Sequence, residues 1–537
     1  MRASLSWRAL GCAALCALVL LPGRAEAHAE RATYFPDHRL GEVPAYRSRG
    51  PSHVVCARDS RARIDRSWAG NGPKRRRVRM LRLRLLTRCR FRDVQAAVEA
   101  SRSGDRILIM PGVYREEPSR RVPVNDPTCS GPGYWEPTND SHGENGMLPT
   151  YRFQLDCPLS RNLIAIIGDT DGDRRCDRRC NLQIEGMGRR ARDVVIEGDR
   201  RKRDVIRADR ADGIHIRNLT AEQAAFNDVD VVETNGFRLS KLVVRHGQDY
   251  GVLTFTSDNG LYEDIEAYGN GDAGIYPGSG PEGGCRRYGI EIRRVNSYGN
   301  VLGYSGTAGN GTWTHDSRFH DNAAGVSDDS FASGHPGMPQ DCSKWTGNEI
   351  NSNNVNFFQR DRAYCSSTPF EQRRKEVVCP QFQVPVGSGL ILYGANRNQI
   401  ADNDIWDNWR SGIRLFYVPA IVRGELDPRK LFDTSNGNRF ENNRMGVTPG
   451  GAADPNGTDF TWDEQGIGNC WQGNRAADGR AITSDPRVLP TCDSGGSRSI
   501  LPNLLKAAAE VPCASWNPRT NPDPPGCTWF ITPPEPR

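Results

Sequence analysis

From Asp212 to Phe331 apolar and polar residues alternate in short bursts that return at a nearly fixed interval. Five segments open at DGIHIRNLT (Asp212–Thr220), NGFRLSKLVVRHG (Asn235–Gly247), DNGLYEDIEAYGNG (Asp258–Gly271), YGIEIRRVNSYGN (Tyr288–Asn300) and NGTWTHDSRFHDN (Asn310–Asn322). Marker glycines at 213, 236, 260, 289 and 311 are 22 to 24 residues apart, save one longer step that holds GSGPEGGC. Inside the segments the apolar pairs Ile214/Ile216 and Ile290/Ile292 follow the two-residue period of strands, and no helical period runs through them. A fixed interval of this length predicts a solenoid. The pattern predicts an all-β parallel β-helix.

Outside this block the same bursts return. They appear at Asn162–Gly168, Leu182–Gly186, Val194–Gly198 and Asp204–Ala208, then again from Gly389 to about Met445. Upstream, Val94, Ala97 and Val98 fall at helical spacing behind Asp93, a candidate N-cap. A helix there would cover the open end of the solenoid, whose first coil otherwise exposes core and strand edges. The stretch DVQAAVEASRSGDRILIMPGVYRE resembles the opening of pectin-lyase-like β-helix proteins. NQIADNDIWDNWRSGIRL (Asn398–Leu415) is similar to the repeat of the same superfamily, seen also in periplasmic proteins of copper-enzyme maturation. The resemblance spans about Phe91–Met445 and implies a right-handed parallel β-helix. It implies little about activity, because that superfamily holds lyases, hydrolases, epimerases and proteins without catalysis.

The expected organisation is a signal peptide (1–27), an irregular extension (28–90), the β-helix (91–449) and a disulfide-tied cap and tail (450–537). Loop insertions are expected at 116–162 and 334–387. The signal rests on Arg2 and Arg8 before an apolar run and on Ala25-Glu26-Ala27, a small-x-small cleavage site. No later run is long enough to span a bilayer, so the mature chain is expected to be secreted or held at the cell surface. Its fourteen cysteines, an even number in an exported chain, favour disulfides. In-order pairing would clamp the insertions and the tail, but spacing leaves the connectivity open.

The formal charge of +6 is too small to imply nucleic acid. The run KRRRVRMLRLRLLTR (Lys74–Arg88) fits a solvated strand or a helix, or a contact with an acidic surface.

Three sets of residues carry candidate chemistry. Asp169, Asp171, Asp173 and Asp177 occupy positions one, three, five and nine of a loop, the spacing of a calcium site. Arg174 and Cys180 depart from that pattern at the turn and at the twelfth position. Asn270, Asn300 and Asn322 share one offset in successive coils and suit a structural ladder. Beside them stand Arg245-His246, Tyr268, Tyr298 and His320-Asp321. Coils stacked about 4.8 Å apart would join these into one outward column. Arg can neutralise a uronate carboxylate and acidify its C5 proton. His or Tyr can remove that proton, giving β-elimination or epimerisation. The third set is Asp328 and Asp329 near His335, which resembles the paired aspartates of polygalacturonase-like hydrolases, although there the histidine lies about one coil away.

The expected function is binding and modification of an acidic polysaccharide by a lyase or C5-epimerase, acting as a monomer on polysaccharide or cell-surface glycan, with calcium as the candidate cofactor. The alternatives are a non-catalytic glycan-binding or structural surface protein and a polygalacturonase-like hydrolase.

Overall fold

The computed structural model describes residues 31–537 apart from 71, 138–146 and 332–333, so the expected signal segment lies outside the described residues. Each coil has three strands. In one, Asn235–Ser240 belongs to the first sheet, Val243–Arg245 to the second and Tyr250–Phe255 to the third. Among the described residues these sheets have 13, 10 and 11 strands. Every pairing from coil to coil is parallel, as in Ile214↔Phe237, Phe237↔Gly260, Gly260↔Ile290 and Ile290↔Thr312. Parallel crossovers are right-handed for steric reasons, and the fold is a right-handed parallel β-helix.

That register corrects one marker. Gly213, Gly236, Asn259, Gly289 and Gly311 fall in line, and Gly260 lies one residue further on. Asn259 takes the left-handed turn conformation at φ 50°. Gly260 is glycine for another reason: a Cβ there would sit 2.0 Å from the Phe237 ring.

Inward-facing residues of all three sheets form one core along the solenoid, from Ile107 through Ile216, Val252 and Leu390 to Trp471. Each fully buried aliphatic side chain contributes roughly 1.5–3 kcal/mol. The turn between the second and third sheets carries the asparagine ladder. The amide N of Asn270 donates to Oδ1 of Asn300 at 3.0 Å, and that of Asn300 to Asn322 at 3.0 Å. The ladder continues through Asn353 and Asn408 to Asn456. On the preceding coil it begins at Gly247, through Gly247 N to Asn270 Oδ1.

The extension expected to be irregular forms a regular strand and helices from residue 52. Ser52–Val55 joins the first sheet beside Arg106–Ile109. Helices α1 (Ser60–Ser67) and α2 (Pro73–Leu86) then form an excursion closed by Cys56–Cys89. Helix α3 (Val94–Ala100) covers the open end as expected, but Asp93 does not cap it. The Glu116 carboxylate accepts from Val94 N and Gln95 N, both at 2.8 Å. Gln95 in turn accepts Ala165 N at 2.9 Å, which satisfies part of the edge of the first third-sheet strand.

Two boundaries also move. Lys344–Thr346 and Glu349–Asn351 are regular strands of the first and second sheets, so the second insertion begins after Asn351 and not at 334. Phe460–Trp462 and Cys470–Gln472 extend the third and first sheets, so the solenoid runs past 449. The seven disulfides among the described residues pair in sequence order. The second insertion and the tail pack on the outside of the third sheet. Phe358, Val384, Trp516 and Trp529 meet Leu253, Phe255 and Tyr393 there in a second core. No helix among the described residues is long and apolar enough to cross a membrane.

Candidate functional site

The third residues of successive second-sheet strands are paired in register: Glu222↔Arg245, Arg245↔Tyr268, Tyr268↔Tyr298, Tyr298↔His320 and His320↔Asn351. The column read from the sequence is therefore continuous, because side chains two apart on a strand share a face and every coil adds one rung. Tyr268 stacks on Tyr298 with centroids 5.1 Å apart and planes 10° apart. His320 stacks on Tyr298 at 5.4 Å and 16°. The ring faces cover one another, and the edges and polar atoms look outward. All three rings are partly exposed.

Each polar tip has a partner. Arg245 donates to Glu222 Oε2 at 2.5 Å and to the Tyr268 hydroxyl at 2.7 Å. The Tyr298 hydroxyl donates to Glu266 at 2.8 Å, and burial together with that carboxylate raises its pKa above the usual tyrosine value. His320 Nδ1 lies 2.6 Å from Asp321 and Nε2 lies 2.9 Å from Asn296 Oδ1. Asp321 itself stands exposed at the turn, and of its carboxylate only the oxygen held by His320 is engaged.

His246 is not a rung. It turns at φ 62° and meets Tyr268 edge-on at 5.4 Å. It lines a narrow cleft of about 20 Å³ with Arg200, Gln248, Phe370 and Arg373, between the second sheet and the second insertion. Burial first, then Arg245 and Lys375, lower its pKa to about 4, so its imidazole is neutral. Arg200 and Arg373 donate only to main-chain carbonyls here, Arg373 to Thr368 at 2.9 Å and Cys365 at 2.7 Å and Arg200 to those of Phe370 and Arg373. Sequence reasoning missed these two arginines, because the insertion that brings Arg373 to Arg200 has no repeat to align.

Asp328 and Asp329 do not form an accessible pair. Both are fully buried, and strand alternation turns them to opposite faces of Ala324–Asp329. Asp328 points into the core and accepts Trp345 Nε1 at 2.9 Å, and burial pushes its pKa up to about 8. Asp329 points outward and accepts Thr307 and Ser327 hydroxyls, each at 2.8 Å. His335 Nε2 is 3.0 Å from the Tyr276 hydroxyl. The hydrolase reading of this pair is withdrawn, since a polymer cannot reach either carboxylate.

A second polar cluster went unread. On the outer side of the third sheet stand Tyr250, Asp272, Tyr276, His335 and Asp329, all buried. Burial, with the Asp329 charge adding to it, raises the Asp272 pKa to about 8. One signal was present: Tyr250 and Asp272 lie 22 residues apart, about one coil of the repeat.

In the acidic loop Asp169, Asp171 and Asp173 place carboxylate oxygens within 4.8 Å of one another, while Asp177 stays outside that group. Asp177 instead accepts Thr170 N and Oγ1 at 3.1 and 2.7 Å. Asp169 is buried, accepts Gly172 N at 2.6 Å and Arg174 N at 2.9 Å, and pairs with Arg210 Nη1 at 2.7 Å. Three of the four aspartates could hold one cation, while a guanidinium already pairs with the first of them and the fourth serves the turn.

No family model matches the chain, and no curated protein matches it in sequence. Among solved structures it is similar to the A-module of a mannuronan C-5 epimerase of Azotobacter vinelandii, at 14% identity and TM-score 0.32, over 72% of this chain and 95% of that one. It is also similar to pectate lyase Pel9A, at 11% identity and TM-score 0.35, over 81% and 80%. A third is the catalytic domain of a GH87 α-1,3-glucanase, at 10% identity and TM-score 0.35, over 73% and 64%. The likeness is one of fold.

Proposed function

We propose that the protein is an extracellular β-helix protein that binds an acidic polysaccharide along the outer face of its second sheet and modifies it by lyase- or C5-epimerase-type chemistry. One observation carries the reading: a partly exposed, in-register column of Arg245, Tyr268, Tyr298 and His320 that runs past a cleft lined by Arg200 and Arg373. A polymer lying along the column meets one rung about every 4.8 Å. A uronate carboxylate at the mouth of the cleft would approach two guanidinium groups that have no carboxylate partner among the described residues. The Nδ1–H of His320, donated to Asp321, leaves Nε2 as the base that takes the C5 proton. Taking that proton requires the Asn296 amide to move aside from Nε2, and the imidazolium that forms donates its Nε2–H back to Asn296 Oδ1. Tyr298, held protonated, supplies a proton to the leaving oxygen or to the opposite ring face. Seven disulfides fit an oxidising compartment outside the cytosol.

A second reading, glycan binding without catalysis, is favoured by the self-satisfied column, in which Arg245 and Tyr298 already spend their donors on Glu222 and Glu266. Pectate, alginate and glycosaminoglycans distinguish the two. Elimination gives ultraviolet-absorbing unsaturated uronates, and epimerisation changes the sugar NMR spectrum. Turnover lost in His320→Ala supports the enzyme. Binding without turnover leaves the second reading standing, and no binding to any acidic glycan removes both.

A further inference from the structure

The chain divides its charge unevenly. Residues 58–92 hold fourteen Arg and Lys against two Asp, a formal +12 in a chain whose total is +6, so the remainder is −6. This charge sits on the excursion closed by Cys56–Cys89. Helix α2 is anchored by Leu83, Leu85 and Leu86 against Val54, Leu108 and Met187 on the outside of the first sheet. The two aspartates are already used, Asp59 by Arg63 at 2.6 Å and Asp65 by Arg79 at 2.7 Å. Lys74, Arg75, Arg76, Arg77 and Arg84 are exposed, and α2 carries no acidic residue.

The arrangement is unfavourable for a helix that merely faces water. Lys74 to Arg77 occupy the first turn, at the positive end of the helix dipole, where acidic residues stabilise and cations do not. Like charges three and four apart repel as well. A bound polyanion relieves both costs. We infer that this disulfide-closed helical head is a second binding surface, distinct from the second-sheet column, for a polyanionic polysaccharide whose carboxylates or sulfates pair with the arginines of α2. The inference shares its polymer class with the function proposed above and takes nothing from that site. A membrane is the poorer partner. Most apolar residues of α2 turn to the body, leaving Met80 and Leu81 exposed, and two side chains make no insertable face. Nucleic acid is disfavoured by the disulfides, which set the chain where the polyanions are chiefly glycans.

The test uses the full disulfide-bonded chain on immobilised heparin and on immobilised alginate, eluted with a salt gradient. In one variant Lys74, Arg75, Arg76, Arg77 and Arg84 become Ser. A second removes equal charge elsewhere on the exposed surface, with Arg429, Lys430, Arg439, Arg487 and Arg498 changed to Ser. A third replaces Arg75, Arg76, Arg77 and Arg84 by Lys as a folding control that keeps the charge. The head variant is expected to lose most retention and to flatten the log affinity against log salt slope by about one per contact removed. The remote variant and the Lys variant retain binding, and the head variant keeps whatever turnover the wild type shows. Equal losses in the head and remote variants, or unchanged retention of the head variant, overturn the inference, as does tighter binding to duplex DNA or to anionic phosphatidylserine vesicles than to either glycan. A His320→Ala chain that loses turnover but still binds heparin leaves the head standing by itself.

Discussion

Tyr298 lies parallel to Tyr268 at 5.1 Å, and its hydroxyl is turned aside to Glu266. The stack and the hydroxyl can therefore be separated by mutation. Tyr298→Phe is expected to leave melting within about 0.5 kcal/mol of wild type, as for a surface change that keeps its packing. It should lower turnover on the acidic glycan by roughly 10²–10⁴-fold, the usual weight of one positioned acid–base group. Steady-state kinetics beside thermal melting read the two effects apart, and unchanged turnover would remove Tyr298 from the chemistry.

The cleft supplies a binding prediction. Arg200→Gln removes a guanidinium that has no carboxylate partner among the described residues. Affinity for oligouronates should fall about ten- to hundredfold, the weight of one charge-assisted hydrogen bond. Neutral oligosaccharides should bind the variant and the wild type alike. Calorimetric titration with both ligand classes checks this.

Buried carboxyls give the fold an alkaline weakness. Asp272 and Asp328 have pKa values of about 8 in the folded chain, raised by burial above an unfolded value of about 4. The folded state therefore holds protons that the unfolded state releases. That stabilisation is whole below about pH 4 and is lost as pH rises through about 8. Melting at about pH 9 should fall several degrees below melting at about pH 6, a domain of this size shifting about 2–4 °C per kcal/mol. The double variant Asp272→Asn, Asp328→Asn should flatten the curve, and an equally steep curve in that variant would assign the loss to other groups.

The acidic loop is expected to hold without metal. Chelator should leave the melting temperature unchanged, because Arg210 pairs with Asp169. Asp169→Asn should cost about 1–3 kcal/mol, with or without calcium, because Arg210 loses one of its two charged contacts and keeps Glu233 at 2.8 Å. A calcium-dependent rise in melting of the wild-type chain, abolished by Asp171→Ala, would restore the metal.

The ladder makes a stability prediction. Asn300→Ala leaves Asn270 N and Nδ2, now donating to Asn300 Oδ1 at 3.0 and 2.9 Å, without an acceptor in a buried turn. A loss of about 1–3 kcal/mol per stranded group follows, measurable as a lower urea midpoint.

The sequence by itself determined the coil. A repeat of fixed length aligns positions that no other information relates, so the ladder of Asn270, Asn300 and Asn322 and the rungs Arg245, Tyr268, Tyr298 and His320 were legible before any coordinates. Alternation within a strand told which residues face in, and composition told that cysteines would be paired. What lies between coils was not legible. Asp328 and Asp329 read as a catalytic pair until strand alternation sent one into the core and the other outward. His335, six residues on from Asp329, went to Tyr276 instead. The roof over the third sheet, where Trp516 and Trp529 meet Tyr393, joins residues more than a hundred apart with no shared period. The Arg200–Arg373 cleft is of the same kind. Repeats encode contacts at a constant offset, whereas insertions and tails find their place only by burying whatever apolar and polar groups the finished solenoid leaves exposed, and that is decided in three dimensions.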